Sequence, residues 1–318
     1  MIIKLSSDLK KQEIWANGVE LASIMGKDRK NGKRVLTYPV NKKDYVHTFK
    51  NPVLVTDNCR IARLNPALRD TLFALYSNKP RIVEYDGASV LWDSSHINVW
   101  CPSIDTLLYA KALKKALKQK NNFRKAVEIG CGSGFLSKYL LKKSKKIKSL
   151  LIIDINPYAV KCAMDNIKDC RASFYAGDGL KKIKGQKFDL IVCNPPYVPR
   201  PASINDNPYE GISLLNHLVH EGQKYLNKNG IIITNVSSLC WNIVFRKKPK
   251  MKMKLLESMN VPLKVNNILN NKKWLEYLAK KGLKKHYKKG YEYWHKINII
   301  MLENQKNNGA PHTKVCGL

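Results

Sequence analysis

The chain has 318 residues, 44% of them hydrophobic and 25% charged, and a formal net charge of +33. These are the proportions of a globular protein, long enough for one large α/β domain or a core domain with a smaller companion. No apolar run approaches the roughly 18 residues of a membrane span, Met1-Ile-Ile-Lys-Leu5 is too short for a secretion signal, and the eight cysteines include no C-x-x-C pair. A disulfide framework and a zinc ribbon are therefore excluded, and a reduced, cytoplasmic protein is expected. The seven scattered histidines form no H-x-x-x-H pair, so nothing points to a metal.

In chain order, residues 1–95 read as a small α+β accessory domain. It contains a helix over Pro66 to Tyr76 and a hairpin, Arg81 to Tyr85 and Ala88 to Trp92, turning at Asp86-Gly87. No motif in it carries chemistry, and it could dock a substrate or simply cover a sheet edge. Ser103, after Pro102, reads as the cap of an amphipathic helix running to about Leu117 that leads into the core domain.

From about Val127 short β-branched runs alternate with helical stretches, the signature of βαβ units on a parallel sheet. Strands are expected at 125–130, 149–154, 172–177, 188–193, 230–235 and 295–302, and helices over Leu136 to Lys143, Pro157 to Lys168 and Ser213 to Leu226. Residues 245–294 read as a basic insertion before the last strand, and residues 304–318 as a flexible tail.

The charge is not even, since residues 241–318 hold 18 Lys/Arg against 4 Asp/Glu. Such a surface attracts polyanions, RNA and ribosomes among them. The lysines come mixed with asparagine, as in Asn266-Asn-Ile-Leu-Asn-Asn-Lys-Lys273, which is equally the mark of a general compositional bias. The Trp and Tyr residues between 274 and 294 suit either a nucleic-acid surface or a core.

The chemistry sits at the ends of strands. Val127-Glu-Ile-Gly-Cys-Gly-Ser-Gly134 follows a strand and opens a helix, so its glycines permit a tight turn and close backbone approach to a ligand. The next strand ends at Asp154, 24 positions after Gly130, where a carboxylate can accept from ribose hydroxyls; the third ends in Ala176-Gly177-Asp178, where one can accept from a purine amine. Each acid taken alone is as readily a helix cap.

The fourth strand, Phe188 to Cys193, delivers Asn194-Pro195-Pro196-Tyr197. The prolines hold Asn194 and Pro195 extended. The Asn194 side-chain oxygen and the Pro195 carbonyl can then accept both N–H protons of a planar nitrogen whose lone pair must localise, while Tyr197 stacks on the flat group. Cys131 and Cys193, inside these motifs, are expected to pack rather than react.

These motifs, in this order, resemble those of the class I S-adenosylmethionine-dependent methyltransferases. Phe188 to Pro199 is most similar to the HemK-type protein-glutamine N5-methyltransferases, within the small-domain group that also methylates bases in RNA. Pro102-Ser-Ile-Asp-Thr106 is similar to their Pro-Arg-x-Glu-Thr segment, with Ser103 where that segment has arginine, and Tyr209-Glu-Gly-Ile-Ser-Leu-Leu215 is also close to their pattern. The resemblance implies a Rossmann-like sheet of seven strands, the last antiparallel, over residues 96–303.

It further implies S-adenosylmethionine as cofactor. Gly130, Gly132 and Gly134 would line its methionine part, Glu128 would lie near its amino group, Asp154 at the ribose, Asp178 at the adenine, and Asn194 at the methyl. Asn194, Pro195, Pro196 and Tyr197 would be catalytic. The acceptor implied is a glutamine amide of a translation-related protein. The alternatives are an exocyclic amine of adenine or guanine in RNA, and a non-catalytic subunit that binds the cofactor to support another methyltransferase.

Overall fold

The computed structural model describes residues 35–39, 81–92, 95–204, 210–263, 265–269, 271–288 and 291–304. The expected helix over Pro66 to Tyr76, Tyr209, and nearly all of the expected tail lie outside them. None of the described helices is long and apolar enough to cross a membrane.

Strand β1 (Val35–Pro39) pairs with β2 (Arg81–Tyr85), which pairs with β3 (Ala88–Trp92), all antiparallel. After these come α1 (Ile104–Gln119), β4 (Lys125–Ile129), α2 (Phe135–Lys143), β5 (Ser149–Asp154), α3 (Pro157–Asn166), β6 (Ala172–Ala176), α4 (Gly179–Ile183) and β7 (Phe188–Cys193). The remainder is α5 (Ser213–Glu221), β8 (Leu226–Ser237), α6 (Trp241–Val244), β9 (Lys252–Pro262), α7 (Asn266–Leu269), α8 (Lys272–Ala279), β10 (Lys284–Lys288) and β11 (Tyr291–Glu303).

The central sheet runs β6-β5-β4-β7-β8-β11, and both β9 and β10 pair with β11. Strands β4 to β8 are mutually parallel, and β11 is antiparallel to each of its neighbours. The expected seven strands become eight because β10 forms a hairpin with β11. Strand order reverses at β4, which lies between β5 and β7, and an open parallel sheet leaves its crevice at the carboxyl ends beside such a reversal.

Strands β4, β5, β7 and the second half of β8 are largely apolar runs because both faces are covered, whereas β6 and β9, at the ends of the sheet, are partly exposed. Alternate side chains serve opposite cores. Ala126, Leu150, Leu190 and Ile231 pack under α1, α2 and α3. Val127, Ile153, Ile191 and Ile232 pack against α5 and α6.

Three expectations need correction. Residues 245–294 are not wholly an insertion, because Lys252–Pro262 is a strand of the sheet; its exposed Lys252 and Lys254 give a sheet edge the charge that keeps edges from pairing with other chains, and in sequence this resembles a solvated basic run. The helix expected to reach Leu226 ends at Glu221, passes through a 3-10 turn (Gly222–Tyr225), and β8 begins at Leu226 itself.

Third, the boundary at residue 95 cuts a continuous core. The hairpin turns at Asp86 and Gly87, both with positive φ, as expected. It buries Val83, Tyr85, Ala88 and Val90 in the same cluster as α2 and α3. The Asp86 carboxylate is held by Lys114 (3.0 Å), Lys143 (3.2 Å) and the Tyr139 hydroxyl (2.9 Å). Asn166 closes a two-way bond to the Leu91 backbone at 2.7 and 2.9 Å.

Helix α1 begins at Ser103, whose N–H donates to Thr106 Oγ1 at 3.3 Å, as a capping box requires. Its fully buried Tyr109 reaches between two strands. The hydroxyl accepts from the Cys193 N–H at 3.0 Å and donates to the Ile233 carbonyl, bridging the tips of β7 and β8. Tyr109→Phe removes the bridge without changing the ring and strands a buried donor. It should cost about 1–3 kcal/mol in urea unfolding, whereas unchanged stability would show that the bridge adds nothing to the strand pairing.

Candidate active site

At the carboxyl ends of β4, β5, β6 and β7 lies a cavity of about 680 Å³. Its depth is set by one pairing. Ile129 of β4 is in register with Cys193 of β7, so the next residues, Gly130 and Asn194, leave the sheet at the same level and face one crevice.

Gly130 and Gly132 have φ of +79° and +51°, and a Cβ built on either meets nothing within 4 Å. The turn is therefore a cradle with room above it, fastened underneath by the Gly130 and Cys131 N–H groups on the Ile153 carbonyl at 2.8 and 3.0 Å. Gly134, expected beside them, does not line the cavity. A Cβ there would sit 2.9 Å from that of Ala163, so this glycine lets α2 lie close against α3.

Asp154 closes the second side. Its Oδ2 accepts from the Gly132 N–H and its Oδ1 from the Asn156 N–H, both at 2.9 Å, and burial raises its pKa above the usual carboxylate range. Asp178 also borders the cavity and is a helix cap as well. Its Oδ1 accepts from Leu180 N (2.9 Å) and Lys181 N (3.2 Å), leaving Oδ2 without a partner among the described residues. The two readings of this acid are compatible because one oxygen suffices for the cap.

Glu128 is 1% exposed, with the Ser137 hydroxyl on Oε2, and burial pushes its pKa up to about 8. At neutral pH it is a protonated acid waiting for a cation. Burial also pushes the Cys131 and Cys193 thiols up, and both pack as expected.

Asn194 to Tyr197 form the opposite wall. Asn194 Nδ2 donates to Asp105 Oδ2 at 3.2 Å, and Asn194 Oδ1 accepts from Asn235 Nδ2. The Tyr197 phenol is hydrogen-bonded to Asp105, and its ring lies 5.9 Å from that of His295. His295 in turn is bonded to Ser237 Oγ at 2.9 Å, and burial lowers its pKa to about 4, so it is neutral. A lobe built on Leu263, Ile268, Trp274 and Leu278 roofs this wall, the Trp274 indole donating to the Pro199 carbonyl at 3.0 Å. Trp274 is thus core and cavity wall, not an exposed stacking platform.

Nine of the ten expected site residues therefore meet in one cavity, Gly134 being the exception. Asn235 and His295 were not singled out from sequence, while Asp105, within the segment 102–106, and Trp274, among the aromatics of 274–294, were noted without a role in the site. A signal existed for Asn235 and His295, each a polar residue at the end of an otherwise apolar strand run, where burial demands a partner. Five carboxyl groups border the cavity, those of Asp105, Glu128, Asp154, Asp178 and Glu210, and no lysine or arginine does among the described residues. Glu128 holds its proton and Glu210 lies 3.9 Å from Arg200, yet the lining still carries acids and, among the described residues, no lysine or arginine in a chain of net charge +33, which suits a positively charged ligand.

The family model for the methyltransferase small domain matches residues 103–261, half of the chain. The chain belongs to the methyltransferase small domain family. It is an S-adenosylmethionine-dependent methyltransferase. A Methanocaldococcus jannaschii protein, named provisionally as a protein N5-glutamine methyltransferase, is 33% identical over 169 residues, covering 50% of this chain and 80% of that protein. The release factor glutamine methyltransferase of Aquifex aeolicus is 32% identical over 126 residues, but the match spans only 34% of this chain and 44% of the relative. Among solved structures, the N-methyltransferase NodS of Bradyrhizobium japonicum has a TM-score of 0.39 at 16% identity, over 64% of this chain and 89% of that one.

The protein fits the cofactor that the family implies. There is open space over Gly130 and Gly132, a buried carboxyl in Glu128, a carboxylate at the next strand tip, and an excess of negative charge around them.

The raised pKa of Glu128 sets a pH dependence in the free protein. A carboxyl that holds its proton more tightly when folded makes stability fall as pH rises from about 4.3, its unfolded value, towards about 8, and level off above. Glu128→Gln keeps the shape without the titration. In urea unfolding the variant should gain on the native protein steadily between pH 5 and pH 8; a constant difference would show that Glu128 is ionised throughout.

Proposed function

We propose that this chain transfers a methyl group from S-adenosylmethionine to the side-chain amide of a glutamine in a protein. The observation that carries this reading is the pairing of an acceptor-bearing turn, Asn194-Pro195, with a cavity rimmed by five acids. A neutral amide can enter such a cavity, whereas a nucleotide would bring its phosphates towards the carboxylates. The names of both curated relatives, each of which specifies glutamine, support the same acceptor. The release-factor name of the second points to a translation-related substrate.

In this reading Gly130 and Gly132 seat the methionine portion of the cofactor, Glu128 receives its ammonium, Asp154 its ribose, and Asp178 Oδ2 its adenine amine. When bound, the cofactor supplies an electrophilic methyl on a sulfonium. Asn194 Oδ1 and the Pro195 carbonyl accept the two N–H bonds of the incoming amide, which favours the tetrahedral nitrogen over the planar one as its lone pair is committed. Pro196 keeps both acceptors in place before the substrate arrives, so little ordering remains to be done. Tyr197 packs on the flat face of the amide. Asp105 holds the Asn194 nitrogen, turning the oxygen to the task. The methylated nitrogen is acidic and gives up its proton without a dedicated base.

Asn194→Ala should lower turnover about 1,000-fold while cofactor affinity stays within a few-fold, because the lost acceptor acts on the nucleophile; equal loss of both would make the residue structural. Asp154→Ala should instead weaken cofactor binding first, seen by calorimetric titration. The acceptor itself is tested by incubating the chain with tritiated cofactor and cell extract. Label should appear in protein, resist ribonuclease and be recovered after digestion as N5-methylglutamine. Label confined to RNA, made by protein-free transcript and lost steeply with salt, would replace the glutamine by a base amine.

A further inference from the structure

The two ends of an asparagine amide are nearly the same size and opposite in character, so an acceptor site built on Asn194 works only if something decides which end faces the substrate. On one side stands Asp105. A carboxylate can only accept, so the atom 3.2 Å from its Oδ2 must be the Asn194 nitrogen. On the other side stands Asn235, whose Nδ2 donates to Asn194 Oδ1.

Asn235 follows Thr234, which is paired with Cys193 across β7 and β8, and so lies beside the base of Asn194. It is fully buried and does not border the cavity. Its own Oδ1 is buried with no hydrogen-bond partner. A valine or isoleucine there would continue the Ile231 to Ile233 run and leave no orphan oxygen, and buried polar atoms of that kind are uncommon in native cores. What the amide adds in return is one donor aimed at one atom.

We infer that Asn235 is a positioning residue which, with Asp105, locks the Asn194 amide in the one orientation that presents its oxygen to the acceptor. This rests on the proposed function, since it presupposes that Asn194 Oδ1 receives the substrate N–H. The Asn194 carbonyl oxygen has two lone pairs, so the bond from Asn235 leaves one for the substrate. The bond from Asn194 Nδ2 to the Asp105 carboxylate draws the amide towards its charge-separated form and makes that oxygen a better acceptor. If the amide turned over, it would meet Asp105 with its oxygen, Asn235 with a donor, and the substrate N–H with another donor.

Two variants separate this role from packing, with tritium transfer to the protein fraction of cell extract and calorimetric cofactor titration measured on each. Asn235→Leu keeps the branched shape, though bulkier, and removes the donor; turnover should fall about thirty-fold with cofactor affinity and acceptor KM within two-fold of native. Asn235→Asp is the sharper test. A buried carboxyl there donates when protonated and cannot when ionised, so its turnover relative to the native protein should be within about three-fold at pH 6 and approach that of the leucine variant by pH 9. A packing role predicts no such new pH dependence. Turnover of Asn235→Leu within three-fold of native, or an aspartate variant that follows the native pH profile, would overturn the positioning role alone. Native protein that places no label in protein would bring down the proposed function and this inference with it.

Discussion

Ile129 and Cys193 are partners across two parallel strands that are far apart in sequence, and that single register brings a ligand cradle and an acceptor turn to the same height. A slip of one residue in a strand turns every side chain to the other face, so the core that fixes the register also fixes the site. Ala126, Leu150, Leu190 and Ile231 must lie under α1 to α3, and Val127, Ile153 and Ile191 against α5 and α6. The Tyr109 hydroxyl, bridging Cys193 and Ile233, then sets the end of β7, and the chain leaves it at Asn194 with no freedom to drift.

Charge is organised on two scales. The chain as a whole is strongly cationic, and residues 241–318 most of all. The cavity has the opposite sign, with five acids on its rim. Burial holds one of them, Glu128, in its protonated form near neutrality, so the free protein does not bear the full cost of an ionised carboxylate in the core. The arrangement separates what the exterior attracts from what the interior admits, and it argues for a small neutral acceptor within a larger partner.

The parallel core was legible because β4, β5 and β7 are largely apolar, mostly buried runs ended by a glycine, an aspartate or Asn194. Local rules sufficed for these, including the positive-φ turn at Asp86-Gly87 and the Ser103 cap. Edges were harder. Strand β9 carries exposed lysines because it is an edge, and a lysine run in sequence does not reveal which side of it is paired. Gly134 was assigned to the ligand because glycines look alike in sequence, and only the 2.9 Å approach of Ala163 shows that packing uses this one. Asp105, Asn235 and His295 come to the site from α1, β8 and β11, and although a segment or a polar position marked each in sequence, their meeting depends on long-range pairings.

In the proposed reaction the methyl donor and the flat nucleophile meet between the Gly130–Gly132 turn and the tip of β7. A structure with bound S-adenosylhomocysteine tests it most directly. The amino-acid end of that molecule should lie over the two glycines with its ammonium on Glu128, the ribose at Asp154, and the sulfur turned towards Asn194 and Pro195 with space for an amide between. A sulfur pointing away from that tip, or a ligand seated elsewhere in the cavity, would contradict it.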